Sequence, residues 1–432
     1  MNIKIKIGIV GLGYVGLPLF IEFLKKKIDV VGFDISKSRI NLLKKKKDYT
    51  KQSKKNEINL IKKELISNND KILKKCNFFI ITVPTPITKK NSPDLSAVIS
   101  ATKIVCKYLK KNNYVVYEST FYPGLTEEVC IKLIQKLTKL KPIKSDNQKN
   151  LNGFFYGYSP ERINPGDNKH TLKNTIKITS GGSPRSAKFI NKIYKKICNA
   201  GTYQAETVTI AECAKIIENT QRDINIALVN EFSQIFSRMN INIYSVLNAA
   251  RTKWNFLNFR PGLVGGHCIG VDPYYLTYKA RKLGYQSKLT LAGRELNDNM
   301  HRFILSKFYK NLKNNYKKKR FKILIVGLSF KENINDFRNS RSIILANEIL
   351  KNGHKLDVTD LNISIKDFKS TNNLNIIKKP KTNYYDGIIL AVAHDNYKSL
   401  GKNYFISLLN NKFKGVIFDV KNMFNEKTFL SI

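Results

Sequence analysis

The sequence is poor in cysteine, in acidic residues and in long apolar runs. Its 432 residues include six cysteines, and no two of them form a CxxC pair. In a chain of this length, that pattern indicates free thiols in a reducing compartment and argues against a zinc ribbon or a disulfide framework. No uncharged apolar stretch approaches the ~20 residues that a membrane-spanning helix needs. We therefore expect a cytoplasmic protein with no metal and no membrane partner.

The shortage of acidic residues leaves a formal charge of +44, from 76 basic and 32 acidic residues. Only 13 of the basic residues are arginine, the residue that contacts phosphates and bases bidentately. Lysine is spread over the whole length, so we interpret most of the charge as a solvated surface and expect no nucleic-acid partner. A basic nucleic-acid-binding protein is the alternative from a different class, and it predicts steeply salt-dependent affinity.

The order of elements predicts an α/β fold. A short β-branched run at 5–10 meets a glycine turn and then a helix-like stretch that ends near Phe23. A second strand-like run at 28–33 ends on Asp34, and further runs at 78–83 and 114–117 alternate with helical stretches. Strands that alternate with helices are typical of a doubly wound parallel sheet.

A long helix and a repeat divide the rest of the chain. Residues 211–236 have apolar positions at helical spacing and no Pro or Gly, which predicts a central helix able to carry a dimer contact. KILIVGL at 322–328 repeats KIGIVGL at 6–12 without its glycine turn. We predict two Rossmann-like domains, 1–205 and 306–432, joined by a helical domain, 206–305. The polar residues 139–152 predict a surface loop.

The first glycine turn has the context of a dinucleotide site. In GLGYVG, Gly11 permits the tight turn, Gly13 lets a pyrophosphate approach the backbone, and Gly16 allows close packing of helix on strand. A carboxylate at the end of the second strand, Asp34, accepts from a ribose 2′-hydroxyl and repels a 2′-phosphate, which favours NAD. Arg39 leaves NADP as an alternative, because an arginine nearby could tolerate that phosphate.

A glycine-rich loop at 261–272 contains the cysteine best placed for chemistry. Gly265 and Gly266 precede Cys268, and a nucleophilic thiol needs open approach and a lowered pKa. His267 fits a base or a structural hydrogen-bonding residue equally well. The other five cysteines lie in apolar or helical settings, where a small buried hydrophobic role is favoured.

Three polar residues share one face of the central helix. Lys215, Asn219 and Asp223 recur at four-residue spacing. A lysine and an asparagine that face a reacting oxygen would stabilise developing negative charge. Taken alone, the spacing favours an ordinary solvated helix face.

Seven segments in this order resemble the UDP-glucose/GDP-mannose dehydrogenase family over essentially the full chain. They are GLGYVGLP (11–18), VPTP (83–86), EST-x-YPG (118–124), YSPERINPGD (158–167), AECAKIIENTQRDINIALVNE (211–231), PGLVGGHCIGVDPYYL (261–276) and GLSFKENINDFRN (327–339). The cysteine loop and YSPERINPGD are similar to the branch that oxidises UDP-N-acetylhexosamines. The resemblance implies oxidation of the sugar C6 hydroxymethyl group to a carboxylate, with two NAD reduced in turn, for surface polysaccharide synthesis.

The resemblance also implies roles for individual residues. It implies that Cys268 captures the C6 aldehyde, and its other implied catalytic residues are Lys215, Asn219, Asp272, Glu161 and Thr120. The implied NAD site consists of Gly11, Gly13, Tyr14, Val15, Gly16, Asp34, Arg39, Thr85, Thr120 and Arg338. The implied substrate site consists of Glu161, Arg162, Asn164, Lys215, Asn219, Arg260, Gly265 and Lys331. Arg251 would contribute from a neighbouring subunit of a homodimer or higher oligomer, and Arg341 has no implied role.

Two enzymes of related class are alternatives. A UDP-glucose 6-dehydrogenase would use the same motifs, because the acetamido group is read by side-chain shape that one sequence does not reveal. A two-electron β-hydroxyacid dehydrogenase has a similar layout but needs no cysteine, so it would stay active after Cys268→Ser.

Overall fold

The computed structural model describes residues 4–48, 50, 53–146, 152–162 and 171–432. The chain divides into two compact units. Unit 1 contains residues 1–218 and 274–285, and unit 2 contains residues 219–273 and 286–432. Two helices, Val208–Arg238 (α7) and Asp272–Lys282 (α9), each contribute residues to both units.

In the described part of unit 1, seven strands form one parallel sheet with the order β3-β2-β1-β4-β5-β7-β6. These strands are Ile7–Val10 (β1), Val30–Phe33 (β2), Ile66–Ser67 (β3), Phe78–Ile81 (β4), Tyr114–Tyr117 (β5), Lys141–Pro142 (β6) and Gly153–Tyr158 (β7). A separate parallel pair consists of Lys177–Thr179 (β8) and Thr202–Gln204 (β9). The α-helices in the described part of this unit, besides its parts of α7 and α9, are Gly16–Lys25 (α1), Lys37–Lys44 (α2), Lys55–Ile58 (α3), Ser96–Cys106 (α4), Lys132–Thr138 (α5) and Pro184–Lys195 (α6).

Unit 2 repeats the parallel arrangement with five strands in the order β11-β10-β12-β13-β14 within the described residues. They are Lys322–Val326 (β10), Lys355–Thr359 (β11), Gly387–Leu390 (β12), Val416–Asp419 (β13) and Leu430–Ser431 (β14). Its helices are Ile243–Ala250 (α8), Lys288–Asn315 (α10), Arg341–Lys351 (α11), Ile365–Lys369 (α12) and Asp395–Leu408 (α13).

Burial explains why the short apolar runs are strands. All four residues of β1, β2, β4 and β5 are buried, as expected when helices cover both faces of a parallel sheet. The α/β prediction with two doubly wound sheets is confirmed. The predicted central helix is also present, because α7 includes all of 211–236.

One local prediction was wrong. Residues 139–152 were expected to form a surface loop, but Lys141–Pro142 forms the edge strand β6, with Lys141 opposite Gly153. The strand has two residues and a polar sequence, so it lacks the apolar pattern by which a strand is recognised. Residues 147–151 lie outside the described residues.

Candidate active site

The glycine turn between β1 and α1 fits a dinucleotide. Gly11 has a φ of +99°, in the left-handed region that favours glycine. A Cβ added at Gly13 would meet nothing within 4 Å, whereas one at Gly16 would lie 1.9 Å from the carbonyl oxygen of Gly11. Gly13 therefore leaves open backbone for a pyrophosphate, and Gly16 permits close packing. Tyr14 is half-buried beside them. Val15 is the N-cap residue of α1, and its apolar side chain does not cap the helix.

The carboxylate of Asp34 is held by the backbone beside this turn. It accepts hydrogen bonds of 2.8 Å from the amides of Leu12 and Ser36. The guanidinium of Arg39 is 3% exposed, donates to the carbonyl of Leu12 at 2.8 Å and pairs with Asp48 at 2.7 Å. Arg39 therefore supports the turn through contacts inside the protein, and the arrangement does not support the alternative that it accommodates a 2′-phosphate. A direct contact between Arg39 and NAD stays a prediction.

Two predicted threonines follow the carboxyl ends of central strands of unit 1. Thr85 follows β4, and its carbonyl accepts a 2.9 Å hydrogen bond from the hydroxyl of Tyr275. Thr120 follows β5 and is half-buried. In doubly wound sheets, ligands bind outside the carboxyl ends of the strands, so both threonines lie on the appropriate edge.

The cysteine loop of unit 2 brings three predicted catalytic residues together. The carbonyl of Cys268 accepts hydrogen bonds from the amides of Val271 at 3.0 Å and Asp272 at 2.8 Å. The carboxylate of Asp272, 1% exposed, accepts a 2.6 Å hydrogen bond from the side-chain amide of Asn219 on α7. The Cys268 side chain is half-buried and so is not sealed in an apolar interior.

The polar stripe on α7 is not a solvated face. Lys215, Asn219 and Asp223 are 8%, 7% and 0% exposed. Asp223 pairs with Arg294 at 2.6 Å and accepts a 2.8 Å hydrogen bond from the side chain of Asn297. The expectation of a solvated face was wrong, because helical spacing identifies the face but not what packs on it.

The other cysteines are unsuited to nucleophilic chemistry. Burial raises the pKa of Cys76 to about 12, and the pKa values of Cys106 and Cys198 to about 11. Burial also raises the pKa values of Cys130 and Cys213. A thiol with a raised pKa has little thiolate at neutral pH. Their assignment as small hydrophobic residues agrees with these environments.

Glu161 lies beside a buried charged cluster that sequence reasoning missed. The ammonium of Lys177, 2% exposed, is 2.7 Å from the carboxylate of Glu118 and 3.8 Å from that of Glu161. The hydroxyl of Tyr194 donates to Glu118. Arg162, the neighbour of Glu161, pairs with Glu218 on α7 at 2.8 Å. No spacing rule links Glu118 to Lys177, since 59 residues separate them.

The predicted nucleotide residues of unit 2 lie on two loops. The backbone carbonyl of Lys331 accepts a 2.9 Å hydrogen bond from Ser329. The side chain of Arg338 is 55% exposed and makes a bidentate pair with Asp336, with contacts of 2.9 and 2.6 Å. Gly265 packs against the carbonyl of Asn339, from which an added Cβ would lie 2.7 Å away.

The remaining predicted positions differ in exposure. Arg260 is exposed, and Arg251 contacts Asn248 at 3.2 Å. The ring of His267 lies 3.5 Å from the carboxylate of Asp336. Asn164 lies outside the described residues.

A second buried network supports the Lys331 loop. His394 and Ser329 are 0% and 1% exposed. The Nδ1 atom of His394 accepts a 2.8 Å hydrogen bond from the amide of Asn333, so the neutral ring carries its proton on Nε2. Nε2 lies 3.0 Å from the hydroxyl of Ser329 and 3.2 Å from the carboxylate of Asp360. The Ser-His-Asp grouping resembles a catalytic triad in composition, but its burial assigns it to holding the loop.

Membrane-spanning helices and metal-binding clusters are both absent from the described residues. None of the helices in that part of the chain has the length and apolar character that crossing a bilayer requires. In the same residues, no group of three or more His, Cys, Asp or Glu side chains is arranged to hold a metal ion.

Comparisons with known proteins agree with this geometry. Three models of the UDP-glucose/GDP-mannose dehydrogenase family match in order: the NAD binding domain at residues 5–198, the central domain at 209–299 and the UDP binding domain at 324–426. A UDP-N-acetyl-D-glucosamine 6-dehydrogenase of Pseudomonas aeruginosa is 45% identical, with 98% of both chains covered. The enzyme of that name from Salmonella typhi is also 45% identical, with 97% of this chain and 96% of the relative covered.

Solved structures show the same architecture. A UDP-D-ManNAc dehydrogenase from Pyrococcus horikoshii superposes with a TM-score of 0.84 at 27% identity, over 99% of both chains. The UDP-N-acetyl-mannosamine dehydrogenase Cap5O from Staphylococcus aureus gives a TM-score of 0.80 at 26% identity, over 99% of this chain and 97% of that one.

Proposed function

Because the chain belongs to the UDP-glucose/GDP-mannose dehydrogenase family, we propose that it oxidises C6 of UDP-N-acetyl-D-glucosamine to the uronic acid. The family makes the chain an NAD-dependent oxidoreductase that acts on a nucleotide sugar. The choice of sugar is supported by two relatives of that name at 45% identity over nearly the whole chain. We propose that the product supplies a glycosyltransfer reaction in surface polysaccharide synthesis.

The reaction removes four electrons in two oxidations. The C6 alcohol becomes an aldehyde, and the aldehyde, bound to sulfur, becomes an acyl group that water converts to a carboxylate. NAD supplies the oxidising power, since each of two molecules accepts one hydride. The glycine turn and Asp34 would hold the cofactor, with Tyr14, Val15, Thr85, Thr120 and Arg338 as further contacts.

The arrangement around Cys268 is the observation that carries the proposal. Addition of the thiol to the aldehyde forms a C–S bond, and the carbonyl oxygen gains a proton, which gives a thiohemiacetal. Oxidation of this adduct gives a thioester, and hydrolysis releases the acid and restores the thiol. Asp272 begins the helix that follows Cys268 and is oriented by Asn219. It would take and return the proton that these steps move.

Further residues would stabilise charge and position water. Lys215 lies one helical turn before Asn219 on α7, and the two side chains would hold the C6 oxygen as it becomes negative. Glu161 and Thr120 would position the hydrolytic water. In addition to Glu161, Lys215 and Asn219, the proposed substrate contacts are Arg162, Asn164, Arg260, Gly265 and Lys331.

We propose that the working form is a homodimer. Leu228, Ile235 and Met239 lie on or directly after α7 and are 45%, 46% and 57% exposed. Apolar side chains repeated along a helix indicate a surface that another chain covers. A second copy would also allow Arg251 to act across the interface. Sedimentation velocity at micromolar concentration would test the dimer, and a monomer would contradict it.

We also propose a reducing, cytoplasmic location, because the mechanism needs Cys268 as a free thiol.

Product analysis tests the enzymatic proposal. Wild type and Cys268→Ser would be incubated with NAD and, separately, UDP-N-acetylglucosamine, UDP-N-acetylgalactosamine and UDP-glucose. We expect two NADH for each molecule of acid, with UDP-N-acetylglucosamine preferred. Cys268→Ser should form no acid, because serine is a much weaker nucleophile than a thiolate, and should accumulate the aldehyde. Cys213→Ser is a matched control outside the cysteine loop.

Each alternative gives a different result. NADH formed only with UDP-glucose would reject the N-acetylhexosamine assignment, and preference for the galacto sugar would correct the epimer. Full activity of Cys268→Ser would reject the covalent mechanism. No activity on any nucleotide sugar, together with tight and salt-dependent binding of arbitrary DNA, would favour the nucleic-acid alternative.

A further inference from the structure

Arg341 connects the cysteine loop to a neighbouring helix within unit 2. It is the first residue of α11, and its side chain is 19% exposed. Its Nε donates a 3.2 Å hydrogen bond to the carbonyl of Val264, four residues before Cys268. Its Nη2 pairs with the carboxylate of Asp298 on α10. One guanidinium therefore joins the loop backbone to an anchored acidic side chain.

Asp298 is itself anchored by a buried charged group. It pairs with Arg294, one turn earlier on α10 and 1% exposed. Arg294 pairs at 2.6 Å with Asp223 on α7, which is 0% exposed. Two acids and two arginines thus alternate from α7 to the cysteine loop. Loss of Arg341 leaves Asp298 paired with Arg294, so it leaves no uncompensated buried charge.

The loop between Val264 and Cys268 depends on external contacts for its conformation. Gly265 and Gly266 have no side chains, and Gly266 has a φ of +90°. The amide of Gly266 donates a 3.2 Å hydrogen bond to the carbonyl of Asn339. Glycine has the largest conformational freedom of any residue, so contacts such as these limit the conformations of the segment that leads to Cys268.

We propose that Arg341 is a positioning residue for Cys268. Its guanidinium bridges the carbonyl of Val264 and the carboxylate of Asp298 and so holds the cysteine loop in place. The proposal rests on the proposed function, in which Cys268 is the nucleophile. The guanidinium of Arg341 contacts Val264 and Asp298 of the protein itself, so Arg341 acts on the reaction through the loop. A misplacement of about 1 Å in a reacting group can cost about 100-fold in rate.

Kinetics and hydrogen exchange of three variants test the proposal. Arg341→Gln removes the charge and the fork of donors. Arg341→Lys keeps the charge but not the planar fork that reaches two acceptors. Arg302→Gln, at an exposed arginine on α10, is the matched control. The measurements are kcat and KM with UDP-N-acetylglucosamine and NAD, the ratio of aldehyde to acid, and exchange of the peptide that covers 261–271.

We expect Arg341→Gln to lower kcat at least about tenfold with a KM within about threefold of wild type, because the defect lies in the reacting group. Aldehyde should appear among the products, since capture by Cys268 is impaired. The loop peptide should exchange faster, while a peptide from β1 is unchanged. Arg341→Lys should recover part of the kcat, and Arg302→Gln should match wild type in every measurement.

Three results would overturn the assignment. Unchanged kcat and unchanged exchange would show that the loop does not need Arg341. A raised KM with unchanged kcat would make Arg341 a substrate-binding residue. Faster exchange over the whole unit would make its role a general structural one. Hydrogen exchange needs no substrate, so an inactive wild type would reject the proposed function while the loop peptide still decides the role of Arg341.

Discussion

The side-chain amide of Asn219 donates a 2.6 Å hydrogen bond to the carboxylate of Asp272. Because the amide of Asp272 in turn donates to the carbonyl of Cys268 at 2.8 Å, α7 and the cysteine loop are joined in unit 2. The pair orients a buried carboxylate one turn beyond the thiol. Two kinds of substitution would separate its charge from its orientation.

Asp272→Asn should lower kcat by about 10²–10⁴-fold, because an amide cannot take a proton from the reacting group. Asn219→Leu should lower kcat by about 10²–10³-fold, since the C6 oxygen loses a proposed donor and the carboxylate of Asp272 loses its orienting donor. Steady-state kinetics with NAD and UDP-N-acetylglucosamine would check both. Asp367→Asn, at an exposed carboxylate of unit 2, is the control. Equal kcat for Asp272→Asn and wild type would remove Asp272 from proton transfer.

The environment of Asp34 and Arg39 predicts a strong preference for NAD over NADP. We propose that Asp34 accepts from the ribose 2′-hydroxyl, and the guanidinium of Arg39 already donates to Leu12 and pairs with Asp48. We expect kcat/KM for NAD to exceed that for NADP at least about 100-fold, or about 2.7 kcal/mol. Asp34→Asn should reduce this ratio, because it removes the charge that repels a 2′-phosphate and keeps one oxygen acceptor. Comparable use of both cofactors by wild type would contradict the assignment.

The internal repeat shows what a single sequence can predict. The strand, the glycine that follows it and the final aspartate recur, and the structure repeats a hydrogen bond between them. The amide of Leu12 donates to Asp34 at 2.8 Å, and the amide of Leu328 donates to Asp360 at 2.7 Å. Local pattern specifies such features, since the strands, the turn and the helix are defined by neighbours in sequence.

Contacts between distant positions were not predictable in this way. Arg341 had no explanation until the structure placed it against Val264 and Asp298, 77 and 43 residues away. The Lys177–Glu118 pair is buried in unit 1, and burial makes a charge expensive unless a partner is present. Sequence shows the two charges but not the folding that brings them together.

The buried pair of Lys177 and Glu118 predicts a strong effect on stability. Lys177→Met would leave Glu118 buried without its cation, which should cost about 3–5 kcal/mol. The double variant Glu118→Gln/Lys177→Met should recover most of that loss, because neither charge remains. Urea unfolding followed by circular dichroism measures both.

An exposed pair provides the control for this comparison. Lys398 lies 2.9 Å from Asp395, with side chains 49% and 69% exposed. Lys398→Met should cost less than about 1 kcal/mol, as surface pairs usually do. If the double variant were as unstable as Lys177→Met, the loss would come from packing rather than from an unpaired charge.

Glu212 predicts how stability depends on pH. Burial raises the pKa of Glu212 from 4.5 to about 7, although the amides of Gly124 and Thr126 and the Thr126 hydroxyl donate to it and oppose the shift. The folded state therefore keeps this proton up to about pH 7, whereas the unfolded state releases it near pH 4.5. The stabilisation is complete below pH 4.5 and is lost as pH rises through 7, a change of about 3 kcal/mol.

Glu212→Gln should remove this contribution, because an amide does not titrate in the range. The unfolding free energy of wild type minus that of Glu212→Gln should therefore decrease by about 2–3 kcal/mol between pH 5 and pH 8. Urea titrations at four pH values would measure the difference. Glu206→Gln, at an exposed glutamate of the same unit, controls for the loss of one negative charge. A difference that is constant over this range, or that grows with pH, would show that the three donors outweigh burial and keep Glu212 ionised in the folded protein.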